Sequence, residues 1–185
     1  MIRKAKQEDA AQIIPLLHCA IGSIANTLAG TPDDDEALRI LTDFYRQKGN
    51  RISYENILVE EQDGQVVGML VAYHGSRSDT LDKPLLDRIC RQTGRTDYTF
   101  EREAGEDEYY LDSLAVHEAY RGRGFAKGLM LAFEAQAMAA GHRKLSLLVE
   151  ENNDRAFALY TKMGYREDGK TMLKGTVFRH MVKYV

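Results

Sequence analysis

The order of apolar and polar residues along the chain predicts short strands that alternate with amphipathic helices. Residues 2–5 are typical of a first strand, and residues 7–24 carry apolar side chains at helical spacing. Pro15 lies inside this helical pattern. Because proline removes a backbone donor and clashes with the preceding turn, we expect it to kink or divide the helix. Residues 23–30 are interpreted as a polar break.

An acidic run, Asp33 to Glu36, follows Thr31-Pro32 and is typical of the start of a helix. Thr31 supplies an N-cap hydroxyl, Pro32 suits the first turn, and the carboxylates complement the positive end of the helix dipole. The same acids could instead attract a cationic substrate. Capping explains the run without any further assumption.

The strongest turn signal is Asp63-Gly64, which separates strand-like runs at 55–62 and 65–75. Because this dipeptide favours a tight hairpin, the two runs are predicted to be adjacent antiparallel strands. A long polar stretch follows from Ser76 to Asp107, with one short helix predicted over 81–92. Connections of this length inside a compact domain are usually functional or mobile. The stretch is either a tolerated surface insertion or a lid or wall of a binding pocket.

The second half of the chain alternates strands with helices. A strand is predicted over 109–116, and a helix that ends at Gly141 follows a glycine-rich turn. The apolar face of this helix consists of Ala126, Leu129, Met130, Phe133 and Ala137. Further strands are predicted at 144–149, 165–168 and 176–184, with a helix over 152–162 that Gly164 caps.

These elements predict a single α/β (α+β) domain over residues 1–185. Because hairpins are mixed with crossovers, we expect a mixed central sheet of about six to seven strands flanked by helices. The formal net charge of −3 gives no reason to expect nucleic acid as a partner. No apolar run approaches the ~18 residues of a membrane span, so no membrane partner is predicted.

Cysteine and histidine usage predicts neither disulfides nor a metal site. Cys19 and Cys90 lack CxxC spacing, so we expect free buried thiols and a reducing cytoplasm as the compartment. The histidines show no pairing at metal-ligand spacing. They are His18, His74, His117, His142 and His180.

Glycines and cations cluster after the strand predicted over 109–116. Glycine lets backbone amides approach an anion, and the start of a helix presents unpaired N–H groups. The segment from Arg121 to Lys127 could therefore hold a phosphate. Taken alone, an ordinary turn is the simpler interpretation, because the segment contains no GxxxxGK[ST] and has Lys127 where GxGxxG requires its third glycine.

Two spaced motifs favour the phosphate-binding interpretation of this turn. A hydrophobic-x-Val strand end and an [R/Q]-x-x-G-x-[G/A] turn are met by Leu114-Ala115-Val116 and by Arg121, Gly124 and Ala126. A later N-x-x-A-x-x-x-Y-x-x-x-G-[F/Y] is met by Asn153, Ala156, Tyr160, Gly164 and Tyr165. Together these segments resemble the GNAT superfamily of acyl-CoA N-acyltransferases. The resemblance spans nearly the whole chain, with residues 76–107 longer than the usual connection.

The resemblance implies acetyl-CoA as the acyl donor. Its diphosphate would bind the backbone amides of Arg121, Gly122, Arg123, Gly124, Phe125 and Ala126. The fourth strand, carrying Leu114, Ala115 and Val116, would splay from the fifth in a V shape. Its exposed main-chain groups would bind the pantetheine and polarise the thioester carbonyl. Asn153 would contact the cofactor, and Tyr160 would lie near its sulfur.

Aminolysis of a thioester also needs an acid and a base. Tyr160 is the predicted general acid, the alternative being a core aromatic beside Met163. Asp112 is the predicted base, because a carboxylate among apolar and aromatic neighbours could have a raised pKa. It could instead orient the acceptor or cap the strand. Glu108 and Glu118 are weaker candidates, and water alone could deprotonate the amine.

The predicted reaction is direct acetyl transfer to a primary amine in a ternary complex, because neither cysteine has the signature of a nucleophile. The acceptor could be a polyamine-like or amino-sugar-like molecule, or a protein N-terminus or lysine. Asp112, together with Asp33 to Glu36, favours a cationic small molecule over a protein. In this setting residues 76–107 would be a lid or a wall of the acceptor site.

Two other classes of function stay open. One is a non-catalytic acyl-CoA-binding or regulatory module with the same fold, and the other is a structural domain with an ordinary glycine turn. Family analogy alone suggests a homodimer, formed through exposed sheet edges or the final strand.

Overall fold

The computed structural model describes residues 1–185 and contains one sheet of seven strands with six α-helices. The strands are β1 (Ile2–Lys4), β2 (Ile57–Gln62), β3 (Gln65–His74), β4 (Tyr109–Val116), β5 (Lys144–Glu150), β6 (Arg166–Leu173) and β7 (Thr176–Tyr184). The helices are α1 (Ala10–Ile21), α2 (Ile24–Ala29), α3 (Asp34–Arg46), α4 (Ser78–Thr93), α5 (Phe125–Ala139) and α6 (Asp154–Lys162). None of the helices combines the length and the apolar character that crossing a membrane requires.

The sheet is mixed, as predicted, with the strand order β1-β2-β3-β4-β5-β7-β6. Only β4 and β5 run parallel, and every other neighbouring pair is antiparallel. The predicted hairpin joins β2 to β3, where Asp63 and Gly64 both have positive φ, 51° and 78°. That backbone is the one that a two-residue hairpin turn requires.

Helices cover both faces of the sheet. Val59, Met69 and Val71 point into a core shared with α1 to α4, whereas Leu58 and Leu70 point into a second core with α5 and α6. Because both faces are buried, β3 is a nearly continuous apolar run without alternation.

The first helix spans Ala10–Ile21 rather than the predicted residues 7–24. Pro15 does not divide it, since α1 continues past the proline to Ile21. Pro15 lies on the exposed side while its neighbours Ile14 and Leu16 are buried. The carbonyl that proline leaves without a donor can therefore reach water, and packing compensates for the lost bond. The helix ends at Gly22, which has φ 52°.

The predicted polar break is also wrong, because it contains the helix α2. Ala25, Leu28 and Ala29 are buried on one face of this short helix. The cap of α3 is Asp33 rather than Thr31, since the Asp33 carboxylate accepts a hydrogen bond from the Glu36 amide at 2.7 Å. The Thr31 hydroxyl donates to the Glu36 carboxylate instead, at 2.6 Å.

The long stretch between β3 and β4 contains the predicted helix, which is longer than expected and forms α4. Leu81, Leu85 and Ile89 are buried on its inner face. Gly30, which ends α2, lies directly against Ile89, where an added Cβ would approach a side-chain carbon to 2.5 Å. α4 therefore packs tightly on α2 and forms part of the domain.

Candidate active site

The strands β4 and β5 separate halfway along their length. They pair only where Tyr109, Tyr110 and Leu111 lie opposite Leu145, Ser146 and Leu147. Residues 113–116 of β4 stay paired with β3 on one side and have no strand partner on the other. This confirms the predicted splay between the fourth and fifth strands, which leaves main-chain groups of β4 available in the gap.

A β-bulge at Asp112 marks the point of separation. Leu111 pairs with Ala72 and Ser113 pairs with Val71, which leaves Asp112 as an extra residue in β4. Bulges bend a strand and redirect its side chains, and they are common beside active sites. Here the bulge turns the Asp112 carboxylate into a buried polar network.

Three donors hold the Asp112 carboxylate. Arg51 Nη2 donates at 2.5 Å, the Ser113 hydroxyl at 2.6 Å and the Tyr73 hydroxyl at 2.7 Å. Burial alone would raise the pKa of Asp112, but the Arg51 charge and these hydrogen bonds outweigh it and lower the pKa. The predicted raised pKa was therefore wrong. A carboxylate held in this way is a weak proton acceptor.

Arg51 is the centre of this network. Besides Asp112, it lies 2.8 Å from Glu103 and 3.4 Å from Asp82. Glu103 also accepts a hydrogen bond from the Tyr110 hydroxyl at 2.8 Å. The guanidinium thus joins α4, the segment after it and the bulge of β4.

The glycine-rich turn presents a series of free amides. The amide of Arg121 is occupied by the Glu118 carbonyl at 3.2 Å, whereas those of residues 122–127 have no backbone acceptor. Gly122 and Gly124 have φ of 78° and 85°, a conformation that favours glycine, and an added Cβ at either would meet no protein atom within 4 Å. These amides and the start of α5 fit an anion such as a diphosphate.

Cationic side chains stabilise the turn. Arg121 Nε donates to the Val116 carbonyl at 3.1 Å, which ties the turn to the end of β4. The Arg123 guanidinium lies 5.3 Å from the ring centroids of both Tyr120 and Phe125. The turn is thereby fixed relative to the open edge of β4.

The second motif forms the start of α6. The Asn153 side chain caps this helix by accepting a hydrogen bond from the Ala156 amide at 3.1 Å. Two turns later Tyr160 is only 8% exposed, and its hydroxyl makes no hydrogen bond within the protein. Burial raises its pKa to about 12, so the phenol keeps its proton at neutral pH.

Two adjoining cavities open from the gap between β4 and β5. The inner cavity, about 230 Å³, is lined by Asp112, Leu114, Asn153 and Tyr160 among others. The outer cavity, about 740 Å³, lies between the start of α2, the segment 95–103 and the β6–β7 hairpin. Residues common to both are Ala20, Ile21, Ile24, Leu28, Arg51, Glu103, Glu150, Leu173 and Phe178. The structure thus brings four predicted site residues together, while the glycine-rich turn lies outside both cavities.

The outer cavity is closed by contacts between distant segments. The Glu101 carboxylate accepts a hydrogen bond from the Lys174 amide at 3.0 Å, and Lys174 Nζ donates to the Thr27 hydroxyl. Tyr98 and Phe100 stack edge to face in the same wall. The second half of the long insertion therefore forms one side of the cavity.

Other predicted residues lie elsewhere. Glu108 is buried in contact with His180 and Lys144, each at 3.1 Å, and lines neither cavity. Glu118 lies in the turn after β4, and the acids 33–36 line neither cavity. The cysteines are free, as predicted, but Cys19 is exposed and Cys90 half-buried.

Sequence reasoning missed Arg51, Glu150 and Lys174. Arg51 follows an exposed loop and belongs to no motif, so nothing in its neighbourhood indicated burial. Glu150 immediately precedes the acid Glu151 and could have been found only by asking which side of β5 faces the gap.

The chain is similar to known proteins in both sequence and fold. A model of the acetyltransferase (GNAT) family matches residues 23–165. An acetyltransferase of Yersinia pestis (strain Pestoides F) is 42% identical over 65 residues, which are 35% of this chain and 44% of that protein. The chain therefore spans less than half the length of such curated relatives.

Two crystal structures match along the whole chain. One, the structure of an acetyltransferase, is 29% identical with a TM-score of 0.83, and the match covers 100% of this chain and 99% of that chain. The other, an N-acetyltransferase from Staphylococcus aureus Mu50, is 27% identical with a TM-score of 0.81. The match covers 99% of this chain and 100% of that chain. The chain belongs to the acetyltransferase (GNAT) family.

Proposed function

We propose that residues 1–185 act as one N-acetyltransferase domain, which transfers acetyl from acetyl-CoA directly to a primary amine in a ternary complex. The observation that carries this proposal is the gap between β4 and β5. It joins unpaired main-chain groups of β4 to a cavity that contains the free hydroxyl of Tyr160.

The donor is assigned to the turn and the gap. The free amides of 122–127 would bind the diphosphate, and Leu114 to Val116 would bind the pantetheine. A main-chain amide of β4 directed at the thioester oxygen would stabilise the oxyanion, an interaction that contributes about 3 kcal/mol in comparable sites. Asn153, which lines the inner cavity, would contact the same ligand.

In the reaction, the amine nitrogen attacks the thioester carbon and the C–S bond breaks. The departing thiolate needs a proton, for which we assign Tyr160. The raised pKa of about 12 keeps this phenol protonated, and its hydroxyl has no competing partner. Asp112 is assigned a positioning role, in which it holds Arg51 and the bulge.

The acceptor is proposed to be a small amine rather than a protein. The outer cavity of about 740 Å³ lies within the range of small-molecule pockets. The segment 95–103 would form the wall of the acceptor site, and its contact with Lys174 restricts access by a folded partner.

The test combines a thiol-release assay on a panel of primary amines with mass spectrometry of the acetylated product. Tyr160→Phe is expected to reduce turnover roughly 10²-fold, with coenzyme A affinity unchanged. Tyr184→Phe is the matched control, because Tyr184 is 72% exposed. Normal turnover by Tyr160→Phe would remove the acid role.

The same experiment separates the other classes of function. Acetyl-CoA at a hundred times its Kd should stabilise a donor-binding fold by ~2.7 kcal/mol. Stabilisation without thiol release from any amine would favour a non-catalytic acyl-CoA-binding module. The absence of both stabilisation and thiol release would overturn the proposal.

A further inference from the structure

Glu150 lies at the end of β5, where the strand borders the gap. Its side chain is exposed and lines both the inner and the outer cavity. It therefore borders the space between Tyr160 and the proposed acceptor site.

Every other carboxylate that lines these cavities has a partner. Asp112 and Glu103 are held by Arg51, at 2.5 and 2.8 Å. Glu101 accepts from the Lys174 amide at 3.0 Å, and Asp97 pairs with its neighbour Arg95 at 3.2 Å. Glu150, in contrast, makes no side-chain hydrogen bond or ion pair, so its carboxylate is available to a ligand.

The backbone fixes Glu150 in register with the other site residues. The amide of Asn153 donates to the Glu150 carbonyl at 2.9 Å, in the turn that leads from β5 into α6. Phe178 of β7 pairs with Glu150 on the other side. One strand–turn–helix unit therefore carries a free carboxylate at one end of the site and the Tyr160 phenol at the other.

We propose that Glu150 is the general base of the reaction, accepting the proton of the acceptor amine directly or through one water. This rests on the proposed acetyl transfer. The acceptor ammonium first gives a proton to Glu150, which frees the lone pair of its nitrogen for attack. As the C–N bond forms and the C–S bond breaks, the nitrogen loses its second proton to water and the thiolate receives a proton from Tyr160. Solvent then takes the proton from Glu150 and returns one to Tyr160, which completes the balance.

The variant Glu150→Gln keeps the size and polarity of the side chain but cannot accept a proton. With a strongly basic alkyl amine, kcat is expected to fall on the order of 10²-fold, while the Kd of coenzyme A stays unchanged. With a weakly basic amine, already neutral at pH 7, the loss should be at least several-fold smaller. Glu151→Gln is the matched control, because Glu151 pairs with Lys170 at 2.5 Å and lines neither cavity.

The outcomes separate this inference from the function on which it depends. Thiol release by the wild type together with unchanged kcat in Glu150→Gln overturns the base and leaves acetyl transfer intact. Two results would show that Glu150 only attracts or positions the acceptor, and would overturn its role as base. One is a higher KM for the amine at unchanged kcat, and the other is an equal loss of kcat with both amines. No thiol release by the wild type with any amine overturns both.

Discussion

At the scale of single residues, burial and charge decide what a carboxylate can do. Asp112 has the sequence position expected of a base, but it accepts three hydrogen bonds and lies against a buried guanidinium. Glu150 belongs to no recognised motif, yet its carboxylate lines the inner cavity and has no partner. A motif specifies position along the chain, whereas the partners of a side chain come from elements distant in sequence.

Asp112→Asn is therefore expected to destabilise the fold rather than to change the chemistry. Loss of the charge opposite Arg51 should lower the free energy of unfolding by about 2 kcal/mol, as for other hydrogen bonds to charged groups. The midpoint of the pH–rate profile should not move. Urea titration and kcat/KM across pH measure the two effects.

The control for this substitution is Asp43→Asn, which changes an exposed carboxylate of α3 that makes no hydrogen bond. It should leave both quantities unchanged. A displaced pH–rate midpoint in Asp112→Asn, with stability preserved, would return the base role to Asp112.

At the scale of elements, the sequence was most informative where local signals were strong. The range of β4, the Asp63-Gly64 hairpin and the buried face of α5 were all predicted, because alternation, turn chemistry and helical spacing act over a few residues. α2 was missed, since a helix of six residues has little periodicity and is stabilised by packing on α3 and α4. The splay followed from the family motif, since no local pattern specifies where two strands separate.

The β6–β7 hairpin is predicted to retain the acceptor through Lys174. Its tip crosses the outer cavity, where Lys174 contacts Glu101 through its amide and Thr27 through its side chain. Lys174→Asn removes the long side chain and keeps a residue that tolerates the positive φ of 48°. The KM for the amine should rise several-fold at unchanged affinity for coenzyme A.

Steady-state kinetics with varied amine, and calorimetry with coenzyme A, measure these two quantities. Lys170→Ala is the control, because Lys170 lies on the same hairpin, pairs with Glu151 and lines neither cavity. An unchanged KM in Lys174→Asn would show that the hairpin tip does not contribute to acceptor binding.

At the scale of the whole molecule, one buried charge cluster fastens the long insertion to the sheet. Asp82 from α4, Glu103 from the cavity wall and Asp112 from β4 all surround Arg51. Three carboxylates face one guanidinium, so the cluster carries an excess of negative charge away from water. Such a cluster favours uptake of a proton by its least compensated member.

That member is Asp82, and its titration should affect the stability of the whole fold. Burial raises the pKa of Asp82 from 3.8 to about 6, with Asp112 and Glu103 adding to the shift against the effect of Arg51. The folded state therefore binds a proton more tightly than the unfolded state. The stabilisation is complete below pH 3.8 and is lost as the pH rises through about 6.

Asp82→Asn removes this titration, so the difference in melting temperature between the variant and the wild type should change in the variant's favour as the pH rises from 4 to 7. Taking the difference cancels the contributions of other titrating groups, which both proteins share. Asp43→Asn, which changes an exposed carboxylate of α3 outside the cluster, should show a difference independent of pH. A flat difference for Asp82→Asn as well would mean that Arg51 fully compensates Asp82, and that the cluster holds the insertion in place without taking up a proton.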